Sequence, residues 1–240
     1  MTNATVVVTG ASRGIGRSLM RAFAAQGATV VGCARDVDGL DDAVAAARTD
    51  GEAAEGDTAV EGVRADVRDA SEVEMVMDVA AGVGASDTIE VVVANAGVKR
   101  SESGNAPIQS ESYDCFDETM AINFRGVFAT VKEAAGRMPD DGRVLVPSGS
   151  IAVDAEAGMG AYAVSKAAAE ALVRQFAVDA PQTAAVVDPG LVDTDLSGAG
   201  GRAPEDVAPL FVWAATEAGS DEIDGERVDL RRWKMATRSR

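Results

Sequence analysis

Short apolar, β-branched runs alternate with helix-forming stretches along almost the whole of this 240-residue chain. Ala4 to Val8, Thr29 to Ala34, Ala59 to Ala65, Ile89 to Ala94, Arg143 to Val146, Thr183 to Val187 and Glu226 to Leu230 read as strands. The stretches 17–26, 40–48, 71–81, 113–138, 159–178 and 204–216 read as helices. Strands that are apolar on both faces need cover on both sides, so this alternation predicts a doubly wound, seven-stranded parallel sheet in three α/β/α layers. In such a fold the ligand site lies outside the carboxyl ends of the strands. No repeat or linker divides the chain, so residues 1–230 are expected to form a single domain.

Local signals refine the outline. Ser71 is placed as the cap of a helix, with Glu74 at the capping-box position. The acidic segment from Asp50 to Asp57 is expected to be a mobile surface loop, and Lys99 to Ser112 a polar connection. Residues 231–240 carry five positive charges and no negative one. That basic tail suits docking on another subunit or on the chain's own surface; a frayed terminus is the alternative.

The most informative turn is Thr9-Gly10-Ala11-Ser12-Arg13-Gly14-Ile15-Gly16, between the first strand and the first helix. Gly10 permits a sharp turn, and Gly14 and Gly16 remove Cβ atoms where backbone and ligand must approach. The helix that follows points free N–H groups and its positive dipole end at an arriving anion, as phosphate-binding loops do. The spacing G-x-x-x-G-x-G differs from the general G-x-G-x-x-G dinucleotide pattern.

Composition removes several alternatives. The chain has no histidine, which excludes Ser-His-Asp and Cys-His catalysis and His-ligated zinc. Cys33 and Cys115 fit no metal spacing, and no metal is expected. Thirty-nine acidic against 22 basic residues give a formal charge of −17, which repels nucleic acid and anionic lipid. No apolar run is long enough to span a membrane and no secretory signal is visible, so a cytoplasmic location is expected. Only four lysines occur: Lys99, Lys132, Lys166 and Lys234. Acid-rich, lysine-poor composition resembles that of cytoplasmic proteins of extreme halophiles, in which high salt screens the self-repulsion.

Without histidine, proton transfer falls to Tyr, Lys, Asp or Glu. Tyr162-Ala163-Val164-Ser165-Lys166 places a phenol and an ammonium one helical turn apart on the same face. A free tyrosine has a pKa of ~10, and a neighbouring ammonium is expected to lower it. Such a pair can exchange protons without histidine.

In combination these motifs resemble the short-chain dehydrogenase/reductase family in its single-domain, Rossmann-fold form, over about residues 4 to 230. Thr9 to Gly16 matches T-G-x-x-x-G-I-G, whose Gly10, Ser12, Arg13, Gly14, Ile15 and Gly16 would line the cofactor. Asp66 and Val67 match the pair after the third strand that contacts adenine. Asn95, Ala96 and Gly97 match the N-A-G end of the fourth strand. Asn123 falls where the family has an asparagine that kinks a helix and holds a water linked to the lysine. Tyr162 and Lys166 match the catalytic pair, and Asp188-Pro189-Gly190 with Val192 and Thr194 matches the segment around the nicotinamide. The resemblance implies hydride transfer between a nicotinamide and a carbonyl or alcohol carbon of a small molecule, in a homo-oligomer. A cofactor-binding sensor with little turnover is the second expectation.

Two departures accompany the match. The family's serine usually stands 13 residues before the tyrosine, where this chain has Gly149 between Ser148 and Ser150. Ser148 is the first expectation for the hydroxyl on the substrate oxygen, because it follows the strand, and Ser150 the second; Pro147 is expected to break the strand end. Only nine residues separate Thr194 from Pro204, so the substrate side is expected to be open. NAD-specific relatives carry an acidic residue at the end of the second strand. Here that position is Ala34, followed by Arg35, and Arg35 with Arg13 would clamp a 2′-phosphate. NADP(H) is therefore the expected cofactor and NAD(H) the alternative, with Asp36 or Asp38 as its ribose contact.

Overall fold

The structure, a computed structural model, describes residues 1–52, 59–100 and 104–238. Seven parallel strands form one sheet in the order β3-β2-β1-β4-β5-β6-β7: β1 (Thr5–Thr9), β2 (Thr29–Ala34), β3 (Val60–Arg64), β4 (Val91–Val93), β5 (Arg143–Pro147), β6 (Thr183–Asp188) and β7 (Arg227–Asp229). Successive side chains leave a strand on opposite faces, so each apolar run feeds two cores. Val6 and Val8 enter the core beneath α1 (Gly14–Ala24), α2 (Val37–Glu52) and α7 (Pro204–Thr216). Val7 enters the opposite core, beneath α3 (Ala70–Val83), α5 (Gly126–Ala135) and α6 (Gly160–Asp179), with α4 (Tyr113–Met120) leading into α5. Each fully buried valine or leucine contributes about 1.5–3 kcal/mol, which is why such runs cannot remain at a surface.

The strand order reverses between β1 and β4, since the chain runs outward to β3 and then returns to start the other half of the sheet. The crossovers diverge there and leave a crevice at the carboxyl ends. Among the described residues, no helix is long and apolar enough to cross a membrane.

Several local expectations change. The helix after β3 is capped by Asp69 rather than Ser71, its carboxylate accepting the Ser71 N–H at 2.9 Å. The capping-box position therefore falls on Glu72, not Glu74, but Glu72 accepts the Asp66 N–H at 2.7 Å instead of reaching back to its cap. Asp50 lies inside α2, paired with Arg21 at 2.6 Å, so the helix extends into the expected loop; residues 53–58 lie outside the described residues. Residues 101–103 of the polar connection also lie outside them. The long helix over 113–138 is interrupted by a π turn, Ala121–Arg125, between α4 and α5.

Pro147 does not break the end of β5; it is the strand's last residue. It pairs with Val187, and the next residue, Ser148, still donates its N–H to Val187 at 2.9 Å. Alternate residues of a parallel strand bond to opposite neighbours, so Pro147 faces the β4 side, where the ladder has already stopped at Leu145. The missing N–H costs no ladder bond there. As far as Arg238 the tail is helical, as α9 (Leu230–Arg238), with Leu230 and Trp233 packed against the core beneath α7; residues 239–240 lie outside the described residues.

Candidate active site

The glycine turn is held by sterics at two points. Gly10 has φ +67°, and a Cβ there would stand 2.8 Å from the Ala96 Cα. A Cβ on Gly16 would stand 2.1 Å from the Gly10 carbonyl oxygen. No side chain fits either place. Asn95 ties the adjoining strand ends together: its amide donates to the carbonyls of Thr9 at 2.9 Å and Gly10 at 3.2 Å, while the Ala96 N–H donates to the Thr9 hydroxyl at 3.0 Å. Arg13 is extended and α1 begins at Gly14, so the first N–H groups of Gly14, Ile15 and Gly16 open toward the crevice beside Ser12.

The segment after β6 folds back over this turn. The Thr194 methyl lies 3.2 Å from the position a Gly14 Cβ would take, and Asp195 pairs with Arg13 at 3.3 Å. Val192 is buried and bridges to Arg202, which closes the short excursion between Gly190 and Pro204. Pro189 and Gly190, the latter with φ +69°, make the bend out of β6.

At the end of β2, Arg35 is exposed and lies 3.8 Å from Asp66. Asp66 also pairs with Arg68 at 2.6 Å, and this bond holds its carboxyl below the usual carboxylate range. Val67 is buried beneath, and an open groove beside the pair is lined by Arg64, Arg68 and Arg125 among others. Asp36 accepts the Gly39 N–H at 3.3 Å, which commits its carboxylate to the start of α2.

Tyr162 and Lys166 lie in the first turns of α6. That helix has no side-chain cap of its own; Glu111, from the connection before α4, accepts the Ala161 N–H in its place. The Lys166 ammonium donates to the Pro147 carbonyl at 3.0 Å and lies 5.9 Å from the centre of the Tyr162 ring. The proline that lacks a ladder donor thus supplies a free carbonyl for the lysine. Burial pushes Lys166 down to about 8, against the opposing pull of Glu170. Burial pushes Tyr162 up to about 12, so in this arrangement desolvation outweighs the expected lowering by the ammonium.

Asn123 sits in the π turn and is 1 % exposed. Its side chain accepts the Val98 N–H at 2.8 Å and donates to the Val98 carbonyl at 2.8 Å and to Ser165 at 3.0 Å. Ser165 in turn donates to the Tyr162 carbonyl at 2.7 Å. The chain Val98–Asn123–Ser165–Tyr162 fixes the catalytic-type helix against the Asn95–Gly97 strand end. A Cβ on Gly97 would lie in ordinary contact, 3.5 Å from the Asn123 Oδ1 and 3.8 Å from the Lys166 Nζ, so Gly97 stands between the two.

The two serines differ sharply. Ser148 is 9 % exposed and its hydroxyl, fully shielded, has no hydrogen-bond partner. Ser150 is exposed and opens the single 3₁₀ turn Ser150–Ala152. Gly149 lies between them in extended backbone.

A family model described as short chain dehydrogenase matches residues 4–204. The chain belongs to the short-chain dehydrogenases. Members of this family are NAD(P)-dependent oxidoreductases acting on CH–OH or C=O groups. The chain is 30 % identical over 249 residues to an NADPH-dependent aldehyde reductase 2, chloroplastic, of Arabidopsis thaliana, covering 92 % of this chain and 90 % of the relative. It is 35 % identical over 234 residues to a cyclic-di-GMP-binding biofilm dispersal mediator protein of Escherichia coli, covering 89 % and 90 %. The crystal structure of a short chain dehydrogenase from Burkholderia cenocepacia in complex with NADP superposes with a TM-score of 0.84 at 27 % identity, over 95 % of this chain and 96 % of that one.

Within this short-chain dehydrogenase, sequence reasoning missed four residues that hold the site: Glu111, Pro147 through its carbonyl, Glu170 and Arg227. Glu170 had a visible signal, since it continues the Tyr162–Lys166 stripe by one more turn. The others depend on contacts between segments distant in sequence.

Proposed function

We propose that this short-chain dehydrogenase is NADP(H)-dependent and reduces a small aldehyde or ketone, or oxidises the corresponding alcohol, with Tyr162 as the proton donor or acceptor. The observation that carries the reading is the Tyr162–Lys166 pair, anchored by the Pro147 carbonyl at the same carboxyl edge as the glycine turn. The cradle fits the cofactor: Gly10, Gly14 and Gly16 leave backbone bare where a pyrophosphate needs to approach, and the start of α1 supplies N–H donors. Ser12, Arg13, Ile15, Asn95, Ala96 and Gly97 would line it, with Asp66 and Val67 at the adenine and Pro189, Gly190, Val192 and Thr194 at the nicotinamide. When bound, the nicotinamide supplies or accepts the hydride.

The chain's own residues handle the proton. A phenol pushed up to about 12 is fully protonated at neutral pH, which suits donation to the developing alkoxide of a carbonyl being reduced. Lys166 holds the nicotinamide ribose and lowers the cost of phenolate formation. Asn123 and Lys166 both stand against Gly97, and a water held between them would return the proton.

Arg35 and Arg13 support NADP(H): each is exposed, Arg13 pairing with the exposed Asp195 and Arg35 reaching Asp66 only at 3.8 Å, so both guanidinium groups are available to a 2′-phosphate. Of the two residues that could favour NAD(H), Asp36 accepts the Gly39 N–H at the start of α2, and Asp38 lies in the first turn of that helix. Arg35→Asp is expected to reverse the preference toward NADH, read as the ratio of kcat/KM for the two cofactors. Equal or better use of NADH by the unmodified protein would overturn the assignment.

For the substrate oxygen, accessibility favours Ser150 over Ser148, the reverse of the order read from strand placement. A hydroxyl shielded from solvent cannot contact a substrate without rearrangement. Ser150→Ala is expected to lower kcat on the order of 10²-fold, as loss of one oxyanion-type donor does. Ser148→Ala is expected to cost less, because it removes an unpartnered buried hydroxyl. The opposite ranking in kcat returns the role to Ser148.

The second reading, an NADP(H)-binding sensor with little turnover, is favoured by Gly149 at the usual serine position and by the binding function named for the Escherichia coli relative.

A further inference from the structure

Tyr162, Lys166 and Glu170 follow one another at four-residue spacing on one face of α6. Glu170 is 3 % exposed, a rare setting for a carboxylate unless it is paired. It pairs with Arg227 on β7, the neighbour strand of β6. The other arm of Arg227 bonds the Asp188 carboxylate at the end of β6, at 2.9 Å. The second oxygen of Asp188 accepts the Gly190 N–H at 2.9 Å. Two cations and two carboxylates thus alternate from the Tyr–Lys pair to the bend that carries Pro189 and Gly190.

Removing a charge from such a chain leaves its partner buried without compensation, so the members are interdependent. The groups facing Lys166 are Tyr162 and Glu170 on α6, the Pro147 carbonyl on β5, and Arg227 and Asp188 behind Glu170. Glu170 is the member of this set whose charge favours the ammonium directly.

We propose that Glu170 is a positioning residue for the reaction assigned above: it holds Lys166 in its charged form and, through Arg227 and Asp188, fixes the nicotinamide-side bend against the same helix. The inference rests on that assignment for its functional meaning, but its physical content does not. Glu170 is buried behind Lys166 and the bend, and it acts through the two groups that the proposed function places against the cofactor.

The chain has only four lysines, so the lysine side-chain carbon signals of the full-length, cofactor-free protein resolve the titration of Lys166 by NMR. In the unmodified protein the midpoint is expected near about 8. Glu170→Gln is expected to lower it by about one pH unit, a tenfold change in proton affinity, because the carboxylate no longer favours the ammonium. The pH at which kcat/KM begins to fall is expected to move down with it. A purely structural role would lower the melting temperature and leave the midpoint in place.

Should Glu170→Gln fail to fold, Arg227→Lys retains the cation and loses the fork that spans Glu170 and Asp188. It is expected to raise the KM for NADPH several-fold, more than it lowers kcat. An unmoved Lys166 midpoint in Glu170→Gln, or an unchanged NADPH KM in Arg227→Lys, overturns the proposal. Retained turnover in Tyr162→Phe overturns the assigned reaction instead, and leaves the titration result readable.

Discussion

Tyr162→Phe is expected to reduce carbonyl turnover by about 10²–10⁴-fold, the range that a positioned general acid contributes, while NADPH binding survives. The phenol oxygen is the only atom removed, and with it the proton that the developing alkoxide needs. No histidine exists in the chain to substitute. Lys166 occupies a different place: its ammonium donates to the Pro147 carbonyl and sits 5.9 Å from the ring centre. Folding should be little affected: the Tyr162 backbone carbonyl, not its hydroxyl, is what Ser165 and Asn123 tie to the Val98 segment. Steady-state turnover and NADPH fluorescence titration on the same preparation separate the two effects. A variant that retains more than a few per cent of kcat excludes Tyr162 as the acid.

A steep rise in melting temperature with salt is the second large effect expected. The formal charge is −17 and the radius of gyration for a chain of this length is about 18 Å. At 0.01 M salt the screening length is ~30 Å, so nearly every carboxylate feels the others; at 1 M it is ~3 Å. Salt also weakens ion pairs such as Arg13–Asp195, but that pair is largely exposed, and such pairs are worth only about 0–1 kcal/mol. The self-repulsion of the unpaired carboxylates outweighs that loss, so the net sign is stabilisation. Sulfate strengthens apolar burial by a second route, and comparing it with KCl at matched ionic strength separates screening from that effect. A melting temperature that stays flat from about 0.1 to 3 M KCl contradicts the halophile-like reading of the composition.

The architecture was legible because strand burial on both faces leaves a continuous apolar run that few other elements produce. Val6, Val7 and Val8 are all buried, yet they serve two different cores, and only a covered parallel sheet asks this of consecutive residues. The glycine turn was legible for a similar reason, since the demands on Gly10 and Gly16 are steric and local. What failed were inferences in which a distant partner decides. Pro147 reads as a strand breaker until β4 is seen to stop before reaching it. Ser71 failed for a local reason instead: the Asp69 carboxylate two residues earlier already accepts its N–H and caps the helix. The tyrosine was expected to be acidified by its lysine, but burial of both groups, a property of the packed helix rather than of the spacing, works the other way on each. Glu170 was legible as the next member of the Tyr162–Lys166 stripe, but its pairing with Arg227, 57 positions away, was not.

The most direct test of the assigned function is NADPH oxidation over a panel of small aldehydes and ketones, run beside NADPH binding by fluorescence and repeated with NADH. Saturable oxidation of NADPH by at least one member, with one alcohol formed per cofactor consumed and a lower rate with NADH, is the expected result. NADPH bound tightly with no member of the panel turned over would contradict the enzymatic assignment and favour the sensor.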